Sequence, residues 1–345
     1  MSDSGSAYGA AGVDIDAKYQ AVGGSTEAIR STYTPGVVGD VGLFGGLFDL
    51  GKVQAEGQLL VSSMDGVGTK VKIAQRAGMV GGVGEDLVNH CVNDILVQGA
   101  RPLFFMDYIA LGKMVPEQVQ DVIRGLAKAC KENGCALLGG ETAEMPGVYV
   151  PGEMDVAGNI IGTVERARLL DGSRITAGDR LVALSSSGLH TNGYSLARKI
   201  VFEDLGLEVD SRPDALQGAS VADALLAVHR SYLKELWPLL EDGLIHGMAH
   251  ITGGGLPDNL PRVLPETVAV KIDTEAMPRV PVFDFLVEAG GVQREESYRV
   301  FNMGFGMILM VGSDDVSMVQ ERLAAAGETS YVVGEVVAGR REVTF

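Results

Sequence analysis

Val61-Ser-Ser-Met-Asp-Gly-Val-Gly-Thr-Lys70 (VSSMDGVGTK) is the stretch on which the reading of this chain turns. A carboxylate, two glycines, a hydroxyl and a lysine follow an apolar run within six residues. These are the ingredients of a phosphate-handling loop, in an order that none of the common phosphate motifs has. Residues 59–62 read as a strand that delivers Asp65 to its end. Gly66 and Gly68 then let the backbone turn sharply with its amides open to an anion. On this reading Asp65 holds a metal and Lys70 neutralises phosphate charge. The competing reading is a plain glycine turn with a solvated lysine.

Outward from that stretch, composition bounds the answer. A chain of 345 residues is too long for one ordinary core, so two domains are expected. Lys and Arg number 28 against 45 Asp and Glu, a formal charge of −17. The average surface would repel nucleic acid or an anionic membrane, so attraction to a phosphate must be local. Cys91, Cys130 and Cys135 form no Cys-x-x-Cys pair and no even disulfide set, which fits a reducing compartment and argues against zinc. The opening MSDSGSAYGAAG has no basic or apolar targeting character, and no run approaches the roughly 18 apolar residues of a membrane helix. A cytoplasmic location is the expectation.

Segments alternate between strand-like and helical patterns. Residues 103–110 read as a strand, and 116–133 as a helix with Pro116 in its first turn and Asn133-Gly134 closing it. Residues 136–138 enter another strand, and 180–184 a further one. Turn-rich sequence over 163–179 puts the domain boundary near Leu170, giving domains 1–170 and 171–345 that both mix α with β.

One decoy is set aside first. Gly46-Leu-Phe-Asp-Leu-Gly51-Lys52 has the spacing of a Walker A loop, but Val53 stands where a hydroxyl should hold magnesium. Asp49 within it remains a candidate carboxylate, level with the reading of an ordinary turn aspartate. Around Glu85 to Gln98, His90, Asn93 and Asp94 share one helical face, a polar cluster inside an apolar segment. Burying Asp94 alone would cost several kcal/mol, so a metal or a lysine is the natural partner. Leu137-Leu-Gly-Gly-Glu-Thr-Ala-Glu144 repeats strand, double glycine and acid, placing Glu141 in the first turn after a strand. That position suits magnesium bridged to phosphate, with a helix-capping acid as the alternative.

In the second half, Ser185-Ser-Ser-Gly-Leu-His-Thr-Asn-Gly193 and His250-Ile-Thr-Gly-Gly-Gly-Leu256 are glycine-rich turns that each carry one histidine. Their hydroxyls and bare amides suit a sugar phosphate, and a histidine there can move a proton; a structural histidine is the commoner outcome. His229 and His246 lack such surroundings and read as structural or exposed.

Together these stretches resemble phosphoribosylformylglycinamidine cyclo-ligases. The likeness is carried by Ala11-Gly-Val-Asp-Ile-Asp16, Phe44-Gly-Gly-Leu-Phe-Asp49, Asp65-Gly-Val-Gly-Thr-Lys70, Val92-Asn-Asp94, Gly139-Gly-Glu-Thr-Ala-Glu-Met-Pro-Gly147, Ser186-Ser-Gly-Leu-His190 and His250-Ile-Thr-Gly-Gly-Gly255. The resemblance implies an N-terminal domain whose sheet pairs with that of a second subunit into a shared barrel, then an α/β C-terminal domain. It implies ATP between them near the dimer interface, bound through Asp14, Asp16, Asp65, Gly66, Gly68, Thr69, Lys70, Gly139, Gly140 and Glu141. Magnesium would fall to Asp49, Asp65, Asp94 and Glu141. Catalysis would fall to Lys70, offsetting the charge that develops on the phosphates, and to His190, transferring a proton, and the substrate formylglycinamidine ribonucleotide to Ser187, Asn192, His250, Gly253, Gly254 and Gly255. Ala17-Lys18-Tyr19 departs from the family's usual Ala-Gly-Asn, which leaves the closure of this segment over ATP open. His250 stands where related kinases and selenophosphate synthetases carry a metal-binding Asp. Two alternatives remain beside this reading: another ATP-using member of the superfamily, such as a thiamine-monophosphate kinase, and a nucleotide-sensing module without turnover.

Overall fold

The computed structural model describes residues 20, 23–38, 47–52 and 57–345. The chain divides into two compact units, one of residues 1–95 and 101–166, the other of residues 96–100 and 167–345. Among the described residues no helix is long and apolar enough to cross a membrane.

The first unit is built on a four-stranded sheet. Its strands are β3 (Gln58–Gly66), β4 (Arg101–Leu111), β5 (Ala136–Glu144) and β6 (Met154–Glu165), in the order β3-β6-β4-β5; a hairpin of β1 (Val37–Val38) and β2 (Leu47–Phe48) precedes them. Only β4 and β5 run parallel. Beside a short helix at Thr26–Arg30, the described residues of this unit form the helices α1 (Lys70–Ala77), α2 (Gly81–Leu96) and α3 (Pro116–Glu132). Burial alternates along β3 and β6, as a sheet covered on one face requires. Val156, Gly158, Ile160, Gly162 and Val164 of β6 are buried, while Leu60 and Met64 on the other face are 62% and 68% exposed.

The strand expected over residues 136–138 runs on through Gly139-Gly140 to Glu144. Glu141 is therefore a strand residue and not part of a turn. The reason is local: on paired β4 the Asp107 carboxylate lies where a Gly140 Cβ would be, 2.5 Å from it, so only glycine lets the strands pair there. Glycine likewise sets the approach of α2 to α3. A Cβ on Gly84 would overlap the Val122 carbonyl, and one on Gly125 the Gly81 carbonyl.

The second unit carries a six-stranded sheet of β7 (Arg180–Ser185), β8 (Ile245–His250), β9 (Val268–Ile272), β10 (Phe305–Val311), β11 (Ser330–Ala338) and β12 (Val343–Thr344), in the order β12-β9-β11-β7-β10-β8. Four of its five pairings are antiparallel, so this unit is α+β with a mixed sheet, not the α/β unit expected from the resemblance. β10 is buried along its whole length, as the near-continuous apolar run FGMILMV dictates. Because β7 and β8 both run antiparallel to β10, they are parallel to each other. The glycine-rich turns that follow them therefore leave the same end of the sheet.

Helix propensity favours alanine over glycine by about 1 kcal/mol. Gly125→Ala is nevertheless expected to destabilise the protein, since overlap with backbone typically costs about 1–3 kcal/mol. Thermal unfolding checks this, and an unchanged or raised Tm would show that the helices can separate freely.

Candidate functional site

In the first unit, β3 ends at Gly66 and Gly68 adopts φ +55°, turning the chain into α1 within three residues. Asp65 is thereby held against α2. One of its carboxylate oxygens lies 2.8 Å from His90 Nε2, and the other accepts the Gly66 amide at 2.7 Å. Asp94, one helical turn beyond His90, approaches the same Nε2 at 3.6 Å and accepts the Ser63 hydroxyl at 3.0 Å. The polar stripe of α2 is thus mostly enclosed: His90 and Asn93 are buried, and the Asp94 side chain is 27% exposed.

Charge explains the protonation of this cluster. Burial opposes the His90 cation, but the Asp65 hydrogen bond and the charges of Asp94, Asp65 and Asp86 outweigh it and raise the pKa above 6.5. Burial likewise pushes Asp65 up, and the His90 bond and charge with the Gly66 amide more than reverse that, leaving it below 3.8.

Lys70 departs from its expected place. Its side chain is 1% exposed and its ammonium sits 2.8 Å from Asp86 on α2. This ion pair ties the start of α1 to α2. Burial lowers its pKa while Asp86 partly restores it.

The register of the sheet places Asp65, Gly158, Asp107 and Gly140 in one row across four strands. Asp107 was not among the sequence candidates, although an acid within the apolar run LFFMDYIAL is the signal that would have found it. Burial, with the Glu141 charge adding to it, pushes its pKa up to about 7 against a hydrogen bond from its own backbone amide. Glu141 is exposed and, one residue past Gly140, points to the opposite face of the sheet from Asp65. Asp65 and Asp94 are brought together, and Glu141 is not brought to them. Asp49 is exposed and accepts the Gly51 amide. Asp14 and Asp16 lie outside the described residues.

In the second unit His190 in the turn after β7, His250 at the end of β8 and His229 in the segment before the helix Leu233–Glu241 form one buried cluster. His190, at φ +61° in a region costly to a non-glycine residue, stacks on His229 with ring centroids 3.8 Å apart and planes 14° apart. His229 Nε2 lies 3.0 Å from His250 Nε2. The Ser187 amide donates to His190 Nε2 at 3.1 Å, and the Ser187 hydroxyl to the Val228 carbonyl. Asn192 holds a buried Nδ2 with no hydrogen-bond partner among the described residues, and its Oδ1 lies 3.0 Å from where a Gly253 Cβ would stand. Gly254 and Gly255 adopt φ +89° and +58° at the start of the short helix Gly255–Asn259. His229 is thus buried at the centre of the cluster, and not an isolated structural or exposed residue. His246 is bonded to Asp179 at 2.8 Å.

Two predictions follow from these charges. Asp86→Ala strands a buried ammonium and is expected to cost about 3–5 kcal/mol, most of which the double variant Lys70→Met/Asp86→Leu should recover. Chemical denaturation of the three proteins checks it. For the other pair, the raised His90 stabilises fully below pH 6.5 and loses that effect as pH rises through its folded pKa, whereas Asp65 stabilises above pH 3.8 and loses its effect on acidification. Metal-free protein should therefore lose stability as pH rises from 6.5 through the folded pKa of His90, and His90→Asn should remove that slope.

Comparison with known proteins supports one family. Residues 45–164 match the model of the AIR synthase related protein, N-terminal domain, and residues 176–345 that of the AIR synthase related protein, C-terminal domain. A phosphoribosylformylglycinamidine cyclo-ligase of Geobacter sulfurreducens is 50% identical over 336 residues, covering 97% of this chain and 96% of the relative. Among solved structures, a thiamine-monophosphate kinase of Stenotrophomonas maltophilia shares the fold at TM-score 0.70 and 15% identity, covering 92% of this chain and 94% of its own. Hydrogenase maturation protein HypE in complex with ATP does so at 0.63 and 20%, covering 91% and 87%. Identity at this level over nearly the full length decides between them: the chain belongs to the phosphoribosylformylglycinamidine cyclo-ligase family.

Proposed function

We infer that the protein closes the imidazole ring of formylglycinamidine ribonucleotide to give 5-aminoimidazole ribonucleotide, with ATP converted to ADP and phosphate, in de novo purine biosynthesis. Full-length identity to named cyclo-ligases is the observation that carries this reading. The formamide oxygen is a poor leaving group. Its transfer to the γ-phosphate makes it one that the amidine nitrogen can displace within the same molecule, where proximity replaces a second encounter.

Asp65 and Asp94 fit magnesium, since two carboxylates now balanced by one histidine offer hard oxygen ligands to a divalent cation. Bound there, magnesium would screen charge on the phosphates of ATP. Glu141, exposed on the other face of the sheet, joins the nucleotide separately from that pair, and Asp49 remains a candidate at the hairpin. Gly66, Gly68 and Thr69 present backbone to the phosphates, with Gly139 and Gly140 beside Glu141. Lys70 acts as a clamp on this loop. Asp14 and Asp16 are assigned to ATP on the same reading.

In the second unit, the buried Asn192 amide needs an acceptor. A ribose phosphate gripped by Asn192, Ser187 and the Gly253-Gly254-Gly255 turn supplies one. His190 and His250 then stand at the reacting centre as proton carriers. The uncovered face of the first sheet, with Leu60, Met64 and Met106 exposed, supports pairing with a second copy, hence a homodimer. A cytoplasmic location fits the free thiols.

Asp65→Asn and Asp94→Asn should each raise the magnesium needed for half-maximal ADP release, while Lys52→Ala, in the decoy loop, should leave turnover unchanged. Normal magnesium dependence in Asp94→Asn would make the α2 stripe structural only. The ring closure itself is tested by label: oxygen-18 in the substrate formyl group should appear in inorganic phosphate. Unlabelled phosphate from fully labelled substrate would sink the activated-amide route.

A further inference from the structure

His229 takes no part in the chemistry assigned so far, yet it touches both histidines that do. Its ring is fully buried, stacked on His190 and 3.0 Å from His250 through facing Nε2 atoms. Its other nitrogen, Nδ1, lies 3.5 Å from Thr191 Oγ1. Arg230, the next residue, has its charge met by Glu328 and Glu235. Tyr232 Oη donates to the Ser185 carbonyl.

Elementary donor and acceptor rules restrict this arrangement sharply. Two Nε2 atoms at 3.0 Å can be neither both protonated nor both bare, so one proton sits between His229 and His250. If His250 donates, His229 carries its own proton on Nδ1 and gives it to Thr191. If His229 donates, its Nδ1 is bare and accepts from Thr191. His190 stands outside the exchange, because the Ser187 amide can only donate and so keeps His190 Nε2 an acceptor. Its ring is instead a flat wall that fixes the plane of His229.

We propose that His229 is a positioning residue that relays a proton between His250 and Thr191. This rests on the reading above that His250 faces the substrate. The nitrogen that closes the ring must shed one proton. That proton passes to His250 Nδ1; His250 gives its Nε2 proton to His229 Nε2; His229 gives its Nδ1 proton to the Thr191 hydroxyl, which passes its own proton to solvent. One proton leaves the substrate, one reaches water, and no electrons are exchanged. Exposure runs from 5% at His250 through none at His229 to 7% at Thr191, so the relay crosses the dry centre of the cluster and Thr191 takes the outlet role in the proposal.

The three rings also satisfy a ligand count for zinc, with one nitrogen from each within 4.8 Å of the others. Their stacking argues for proton sharing instead. A metal about 2.0–2.1 Å from each nitrogen cannot lie in the planes of two nearly parallel rings 3.8 Å apart.

The test is His229→Gln, which keeps a donor and an acceptor but cannot exchange a proton between them, beside His229→Phe, which keeps only the stack. Both should lose about 100-fold in kcat, the scale of general acid–base catalysis, with KM within threefold and a larger solvent deuterium isotope effect. Nitrogen-15 spectra of the unmodified protein should show one proton shared between His229 and His250 Nε2, a readout independent of how the variants fold. Wild-type kcat and isotope effect in His229→Gln, with kcat lost in His250→Gln, would overturn the relay and leave the substrate site standing. Full activity in both would overturn the substrate site as well. Stoichiometric zinc retained by the unmodified protein and lost from His229→Gln would make the cluster a metal centre and overturn the proposal.

Discussion

A lysine ammonium and an aspartate carboxylate shut away from water hold the first unit's site together. Lys70 opens α1 and Asp86 lies in the first half of α2, both almost wholly buried. Such a pair adds little net stability over an apolar one, but removal of either partner leaves a charge that cannot be hydrated. What it secures is position. With the start of α1 fastened to α2, the short turn through Gly66 and Gly68 has little freedom, and Asp65 is presented to His90 one turn further along the same helix.

From that fastening the electrostatics follow. Asp65 and Asp94 approach one imidazole from a strand and from a helix, so the ring holds its proton more tightly than in water and the Asp65 carboxylate is kept ionised beside it. A site that already balances two negative charges with a weak, removable positive one is prepared for exchange with a stronger cation. The space for this comes from glycine. Gly84 and Gly125 let α2 and α3 meet backbone to backbone, which sets where the His90 face of α2 lies, and Gly140 makes room for the Asp107 carboxylate.

The second unit reaches convergence by topology. Two turns some sixty residues apart in sequence leave the same end of a sheet because their strands flank a common antiparallel neighbour, β10. His190 and His250 meet in this way, and His229 joins them from the segment before the helix Leu233–Glu241. The strained backbone of His190 is tolerable there because a ring stack and an amide hydrogen bond hold the residue on both sides.

By itself the sequence determined a great deal: the strand ending at Asp65, the helix from Pro116, the double composition of α with β and, through collinear motifs, the family. Those features are local, set by apolar period, glycine placement and residue type over a few positions. Pairing was beyond it. That Lys70 turns inward to Asp86, that Gly139-Gly140 continue a strand, that Glu141 and Asp65 face opposite sides of one sheet, and that His229 joins His190 and His250 all depend on register and crossover between distant segments. A lysine beside a glycine turn reads alike whether it meets a phosphate or a buried carboxylate, and only the packing of α1 on α2 decides which, since the desolvated ammonium must take the nearest fixed negative charge.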